Sequence, residues 1–225
     1  MKIIDAESLS DLNVFSSREL QHEDLIGYSS ENFPTGGVFL EFGVFEGKST
    51  NAIAMLAPGN RLYAFDSFRG LPETWYTGTN IYSTHFFSTM LRDTYYNGMI
   101  KTKVADIPYA KPNLPLVPNN VTLIEGWFQD TLPLWKSMFD SIQYMHIDSD
   151  IYASCKFILN TLNDSIKNGT VIVFDDFCSF EDDSEYNLWK HGEFKAVQEW
   201  LLETNRDIKF LSRTKVGAVG IEVIK

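Results

Sequence analysis

The fold is decided by residues 38–66, which read VFLEFGVFEGKSTNAIAMLAPGNRLYAFD. Val38 to Phe42 is a short apolar run that ends at a glycine, a pattern typical of a buried strand. Lys48 to Leu56 has helical spacing until Pro58-Gly59 stops it, and Arg61 to Phe65 is a second apolar strand. A strand, a glycine turn, a helix and a strand within about 30 residues predict one βαβ unit.

The same alternation returns further along the chain. Further strands are predicted over Val121–Ile124, Gln143–Ile147, Thr170–Phe174, Ile208–Leu211 and Ala218–Ile224. Helices are predicted over Tyr152–Ile166, closed by Asn168-Gly169, and over Glu193–Glu203. This order predicts an α/β fold with a mostly parallel seven-stranded sheet, helices on both faces and an antiparallel pair at the C-terminal edge.

Residues 72–118 interrupt the alternation. They are rich in aromatic residues and then in prolines, and we predict a helix around 83–97 with irregular flanks. A long insertion within a compact domain is often functional, so we interpret it as a lid, although a structural helix covering the sheet is the alternative. The chain is therefore predicted to be a single domain, residues 1–225, that carries this lid.

Composition limits the classes of partner. The net charge is −11, from 30 acidic and 19 basic residues, and such a surface repels phosphates and anionic lipids. We therefore expect no nucleic acid and no membrane as partners. The two cysteines, Cys155 and Cys178, are too few for a disulfide framework, and the N-terminus does not resemble a signal peptide, so we expect a cytoplasmic protein. The exposed aromatic residues are compatible with a lid or with a contact in a homo-oligomer.

The loop from Glu41 to Ser49 is the first candidate site. A phosphate loop needs a glycine five positions before Gly47, where this chain has Phe42, and the Gly-x-Gly-x-x-Gly pattern is also absent. An acidic loop suits a ligand whose charged part is an amino acid better than a pyrophosphate. A tight strand-to-helix turn without a ligand is the alternative.

Asp66 ends the second strand, 23 residues after Gly43. An acid at this position can accept hydrogen bonds from both hydroxyls of a ribose. It could instead cap a helix or a turn, since Ser67 follows.

Two later strands end in pairs of acids. Asp148 and Asp150 follow one strand, and Asp175 and Asp176 follow the next. If the strands are neighbours, the carboxylates meet at one sheet edge, where like charges repel. A hard cation such as Mg²⁺ would relieve that repulsion, whereas ordinary helix caps with solvated acids are the alternative.

Five stretches together resemble the macrocin O-methyltransferase family, which includes the mycinamicin and novobiocin sugar methyltransferases. They are EFGV at 41–44, FDSFRGLP at 65–72, GWFQDTLP at 126–133, IDSDIY at 147–152 and DDF at 175–177. The resemblance implies a Rossmann-like class I methyltransferase fold and S-adenosylmethionine as methyl donor. It also implies Mg²⁺ or another divalent cation, and a small hydroxylated, sugar-like acceptor.

The resemblance also assigns candidate site residues. It implies metal ligands at Asp148, Asp175 and Asp176, with Asp148 also at the position of the general base. It implies a donor site at Glu41, Gly43, Asp66, Ser67, Gly126 and Trp127. We add Phe45 and Ser49 of the glycine loop and Asp148 to the predicted donor site. His191 or His146 is a candidate proton relay, although His146, within a strand, is more typical of a packed core histidine. The family often has glycine where this chain has Ser149.

The predicted function is a Mg²⁺-assisted, S-adenosylmethionine-dependent O-methyltransferase that acts on a hydroxyl of a sugar or similar natural product. Three alternatives remain at this point. One is a P-loop-like NTPase, from Gly47-Lys48-Ser49. The others are a binding module without catalysis and a methyltransferase of catechol type, which would share the fold and the metal.

Overall fold

The computed structural model describes residue 4 and residues 9–33, 36–89, 112–179 and 187–225. The strands are β1 Asn13–Phe15, β2 Val38–Phe42, β3 Leu62–Asp66, β4 Trp75–Tyr76, β5 Ile81–Tyr82, β6 Val121–Glu125, β7 Ile142–Ile147, β8 Ile166–Phe174, β9 Ile208–Thr214 and β10 Val219–Val223. The α-helices in the described residues are α1 Arg18–Asn32, α2 Lys48–Leu56, α3 Phe128–Trp135, α4 Tyr152–Leu162 and α5 Glu193–Thr204. Short 3-10 turns follow α3 and precede α5.

One sheet organises the molecule, in the order β1-β9-β10-β8-β7-β2-β3-β6. The central strands β8, β7, β2, β3 and β6 are parallel, and β10 runs antiparallel to both β8 and β9. This confirms the predicted α/β sheet with an antiparallel C-terminal pair. The described sheet has eight strands and not the predicted seven, because β1 adds parallel to β9 and covers what would have been the outer edge.

Helices cover both faces of the sheet. Leu25 of α1 and Ile53 of α2 are buried with Phe39 and Tyr144 on one face. On the other face, α4 and α5 bury a larger cluster that includes Trp200, which is fully enclosed. Apolar burial on both faces explains why the central strands are almost continuously hydrophobic. Among the described residues, no helix combines the length and the apolar character that crossing a bilayer would require.

The prediction of a helix around 83–97 is wrong for the part that is described. Residues 83–89 form turns, and Ser88 makes an isolated bridge with Arg69. The backbone N–H of His85 donates to Leu71 O, and that of Leu71 donates to Phe86 O. These bonds to the segment after β3 replace the helical ones. The remainder of the predicted helix, residues 90–97, lies outside the described residues, as do residues 98–111 of the predicted lid.

The predicted boundary between α4 and β8 is also corrected. The helix ends at Leu162 and not at residue 166, and Asn168-Gly169 lies inside β8. The hydroxyl of Thr170 accepts from Lys167 N at 2.9 Å and donates to Ile142 O at 2.6 Å. A shift in the β7–β8 register occurs at this point. The Asn-Gly pair therefore belongs to an irregular strand start and not to a helix cap.

Candidate active site

The site lies where the direction of strand connection reverses. From β2 the chain continues to β3 and β6 on one side, whereas β7 and β8 lie on the other. Ligand crevices in open α/β sheets form beyond the carboxyl ends of strands at such a point. Here the two strand ends touch, because Asp148 N donates to Phe42 O at 2.8 Å. A Cβ atom added to Gly43 would lie 1.8 Å from Asp148 O, so only glycine fits there.

A cavity of about 330 Å³ opens above this contact. Its size is within the usual range of small-molecule sites. Eight of the predicted site residues line it: Gly43, Phe45, Asp66, Ser67, Trp127, Asp148, Asp175 and Asp176. Residues that the sequence reasoning did not select also line it, among them Arg18, Trp75, Gln129 and Ser154. We call this the first cavity.

Four predicted site residues lie elsewhere. Ser49 lines a second cavity of about 290 Å³, which shares Arg18, Phe45, Asp148 and Asp175 with the first. Glu41 is buried and pairs with His146, and it does not line either cavity. Gly126 precedes Trp127 with φ 140° and is not part of the lining. His191 is exposed in the 3-10 turn before α5 and lines neither cavity, so its placement gives no support to a relay role.

The acid cluster, which we define as Asp148, Asp150, Asp175 and Asp176, lies at the floor of the first cavity. One carboxylate oxygen each from Asp148, Asp150 and Asp176 lie within 4.8 Å of one another. Atoms of Asp148 and Asp175 form a second such group with His146. Neighbouring parallel strands thus bring their terminal acids together, as the sequence predicts.

Burial and mutual repulsion shape the charges of this cluster. Burial and the charges of Asp175 and Asp176 raise the pKa of Asp148 well above its ordinary value. Burial and the charge of Asp175 raise the pKa of Asp176 to about 7. Groups of like charge that share a buried site resist ionising together.

Asp175 differs from its neighbours because two cations face it. Arg18 Nε lies 2.5 Å from Asp175 Oδ1, and His146 Nε2 lies 3.8 Å from the same oxygen. Although burial opposes it, the nearby His146 and the charge of Arg18 hold the pKa of Asp175 below its usual value. Asp175 is therefore the ionised member of the cluster without any added ion.

Glu193 accepts hydrogen bonds from the loops that carry the acid cluster, and the sequence reasoning missed it. It is the first residue of α5 and is fully buried. Its carboxylate accepts from Asp176 N at 3.0 Å and from Ser149 N at 3.4 Å. The side chain therefore ties the loop after β7 to the loop after β8. An acid in the first turn of a helix is too common a signal to have identified this role.

Asp66 holds the glycine loop. Its Oδ2 accepts from the backbone N–H groups of Val44 and Phe45, both at 2.8 Å, and its Oδ1 accepts from Phe68 N at 2.6 Å. A carboxylate has about four acceptor positions, so one remains for a ligand. Phe45 has φ 48°, a conformation that costs a non-glycine residue energy and often marks a functional site.

Aromatic side chains also line the first cavity, and we call them the aromatic wall. Trp75 and Phe87 line the first cavity together with Phe45 and Trp127. Trp75 stacks on Tyr82 across the β4–β5 hairpin with ring centroids 5.2 Å apart, and Phe45 meets Phe87 edge-on at 5.7 Å. The site therefore has a polar floor and an apolar, aromatic wall.

The residues present fit both implied groups. Clustered carboxylates with raised pKa values are the donor set that a hard dication such as Mg²⁺ prefers, since it removes their repulsion. The absence of a side chain at Gly43 leaves the backbone open to close approach by a ligand, which Asp66 and its bonded loop would position.

His146 gives a pH prediction. It lies between Glu41 and Asp175, with His22 edge-on at 4.7 Å. Burial lowers its pKa, but the nearby Asp175 and the hydrogen-bonded Glu41 outweigh this and raise the pKa from 6.5 to about 10. The folded protein thus holds this proton more tightly than the unfolded chain. Its contribution, on the order of 5 kcal/mol, is complete below pH 6.5 and is lost as the pH rises through 10.

The measurement is the free energy of unfolding in EDTA across pH 6.5–10. We expect His146→Gln to flatten the decline with rising pH. His191→Gln is the matched control, because His191 is exposed, and it should retain the parental slope. Equal slopes for parent and His146→Gln would contradict a protonated, ion-paired His146.

Comparisons with known proteins agree on one family. A family model described as Macrocin-O-methyltransferase (TylF) matches residues 28–199. The 8-demethyl-8-(2,3-dimethoxy-alpha-L-rhamnosyl)-tetracenomycin-C 4'-O-methyltransferase of Streptomyces olivaceus is 26% identical over 166 residues, which are 70% of this chain and 60% of that protein. The demethyldecarbamoylnovobiocin O-methyltransferase of Streptomyces niveus is 25% identical over 201 residues, 86% of this chain and 70% of that protein.

The fold has solved counterparts. The crystal structure of CalS11, a calicheamicin methyltransferase, superposes with a TM-score of 0.61 at 19% identity. The superposition covers 97% of this chain and 80% of that one. At this level of identity the likeness concerns the fold, and it confirms the predicted class I methyltransferase architecture.

Proposed function

This chain belongs to the macrocin-O-methyltransferase (TylF) family, and from that premise we propose that it transfers a methyl group from S-adenosylmethionine to a hydroxyl of a sugar or similar small natural product. The curated relatives are O-methyltransferases whose names specify a rhamnosyl tetracenomycin and a novobiocin precursor. The match spans only 60% of the length of the first of them, so the acceptor is proposed as a class and not as a compound.

One observation carries the proposal. The crevice between β2 and β7 brings a glycine loop and four acids to a single cavity. The glycine loop departs from the phosphate-binding pattern, because Phe42 stands where that pattern has its first glycine. A positively charged donor and a divalent cation both suit a floor of this charge.

The donor would occupy the part of the first cavity between Gly43 and Trp127. S-adenosylmethionine, when bound, supplies an electrophilic methyl on a positively charged sulfur. Gly43 allows close contact with the loop, the free acceptor position of Asp66 can take a ribose hydroxyl, and Trp127 offers a flat apolar surface. The chain's contribution is to fix the direction of approach, which is a large part of the barrier in a two-substrate transfer.

The divalent cation would be held by Asp148, Asp175 and Asp176. Such an ion, when bound, makes a nearby hydroxyl more acidic. Asp148 lines the cavity beside the other two proposed ligands, where its carboxylate could accept the proton that such a hydroxyl releases. Glu193 keeps Asp176 in place by accepting from its backbone N–H.

The acceptor would lie between the acids and the aromatic wall. Trp75 and Phe87 line the cavity, and an apolar, aromatic lining with a few polar groups is typical of sites for small organic ligands. A sugar carries both hydroxyls for the floor and C–H faces for the wall. A flat catechol would also fit the wall, so the acceptor panel must contain both.

The test is a binding and turnover assay on the full chain. We expect calorimetry to show binding of S-adenosylmethionine and of its demethylated product, and no binding of ATP. With glycosides, free deoxysugars and catechols as acceptors, mass spectrometry should detect a gain of one methyl on a glycoside and a loss of that gain in EDTA. Donor binding without turnover on any acceptor would favour a non-catalytic module, and binding of ATP alone would overturn the proposal.

The two cysteines bear on the compartment in which the protein works. Cys155 and Cys178 are both free and buried. Buried free thiols are compatible with a reducing compartment, and the cytoplasm is the one we propose.

A further inference from the structure

Arg18 reaches the acid cluster from a distant part of the sequence. It is the first residue of α1, whose start is capped by Ser17, with Leu20 N donating to Ser17 Oγ at 3.3 Å. Its Nε lies 2.5 Å from Asp175 Oδ1, and the side chain of Asp175 is only 7% exposed. Among the described residues that line the first cavity, Arg18 is the only lysine or arginine.

The position of this charge has an electrostatic consequence. Arg18 acts on Asp148 and Asp176 as well as on Asp175, so one guanidinium faces all three proposed metal ligands. His146, the other cation nearby, is held from behind by Glu41 and does not line the first cavity. Arg18 is therefore the basic side chain that faces the cluster from the first cavity, whereas Lys48 lines only the second.

The guanidinium is able to leave. Its side chain is 45% exposed, so it can turn into solvent at a small cost in burial. The helix that carries it would stay, because Leu25 and Ile26 are buried against the sheet and β1 pairs with β9 just before the helix begins. Only the side chain, and not the N-terminal segment, has to move.

We propose that Arg18 and a divalent cation are alternative counter-charges for Asp175, so that Arg18 stabilises the metal-free site and weakens metal binding. The inference rests on the proposed metal site. A dication that binds Asp175 must share or displace the guanidinium, and a positive charge a few ångströms from the ion repels it. Arg18 is thus a residue that sets metal affinity, and it acts through Asp175.

The experiment titrates EDTA-treated, dialysed full-length protein with Mn²⁺ and with Mg²⁺ in a calorimeter. Arg18→Gln removes the charge, and Arg18→Lys is the matched control that keeps it. We expect Arg18→Gln to bind metal at least about tenfold more tightly than the parent, and Arg18→Lys to differ by less than about threefold. The gain should shrink at high salt, since the Arg18 side chain is partly exposed.

Thermal unfolding provides a second readout. The metal-free Arg18→Gln protein should melt below the parent, and saturating Mn²⁺ should raise its melting temperature by more than it raises that of the parent. A residue that only supports the fold would lower the melting temperature equally with and without metal. Arg18→Met serves as a second uncharged variant should Arg18→Gln not fold.

The outcomes separate the two proposals. If the parent binds metal and both uncharged variants bind it equally or more weakly, the role of Arg18 is overturned while the metal site stands. If neither the parent nor the variants bind Mn²⁺ or Mg²⁺, both the role of Arg18 and the metal part of the proposed function are overturned.

Discussion

Asp148→Asn is expected to lower turnover by about 10³-fold, the loss typical of removing a positioned proton acceptor. It should also abolish metal binding, because Asp148 belongs to both of the three-residue groups whose ligand atoms lie close enough together to hold an ion. The metal-free variant should nevertheless melt at or above the parental temperature. Burial and like charges disfavour the ionised form of Asp148, and a neutral amide of the same shape removes that cost.

Melting temperature and turnover are measured on the same preparation. Asp140→Asn is the matched control, because Asp140 is exposed and lines neither cavity, and it should leave both quantities unchanged. Turnover of Asp148→Asn within threefold of the parent would remove Asp148 from the chemistry. A strongly lowered melting temperature would instead show that Asp148 stabilises the fold.

Gly43→Ala is expected to cost about 2–6 kcal/mol of folding free energy and to eliminate donor binding. The new Cβ would lie 1.8 Å from Asp148 O, and φ at Gly43 is 93°. Backbone strain and overpacking each cost about 1–3 kcal/mol. Because the clash involves the backbone at the ends of β2 and β7, relief would require these strand ends to separate, which would widen the crevice.

Two other glycines separate the cost of backbone strain from the cost of overpacking. Gly36 has φ 99° with nothing within 4 Å of an added Cβ, so Gly36→Ala measures the strain alone. Gly59→Ala has neither problem and should be nearly neutral. Denaturant unfolding and calorimetry with S-adenosylhomocysteine provide the two readouts. A Gly43→Ala protein that matches Gly36→Ala in stability and binds like the parent would contradict the tight approach of the strands.

The central part of the fold was predictable from sequence because burial leaves a simple pattern there. β2, β3 and β7 are apolar runs that end in a glycine or an acid, and their bounds fall within one residue of the predicted ones. The N-terminal helix α1 was not predicted, because its buried face carries polar residues beside the apolar ones. They are Gln21, His22 and Ser29. Polar residues on a buried face hide the helical period on which such predictions depend.

The errors arose where tertiary contacts override local signals. Asn168-Gly169 is a strong helix-end signal, yet Thr170 bonds to both Lys167 and Ile142 and draws the segment into β8. The segment 83–89 satisfies its backbone groups with the loop after β3. In both cases a hydrogen-bond partner lies outside the segment itself: Ile142 for Thr170, and the loop after β3 for residues 83–89.

The candidate site was also predictable only in part. Asp148, Asp175 and Asp176 were predictable because parallel neighbouring strands place their terminal acids at one edge. Arg18 and Glu193 meet those acids only through α1 and α5, and no motif links their positions in the sequence to the cluster. Sequence reasoning thus identified the proposed ligands of the ion but not the groups that regulate and support them.

The pairing of β1 with β9 affects the order in which the protein can assemble. Asn13 pairs with Ser212, so nearly the whole described chain separates two adjacent strands. Domains form from the N-terminus onward during synthesis, and contacts between distant segments form slowly. β1 must therefore wait until β9 has been synthesised before it can pair, and we expect this edge of the sheet to form late in folding.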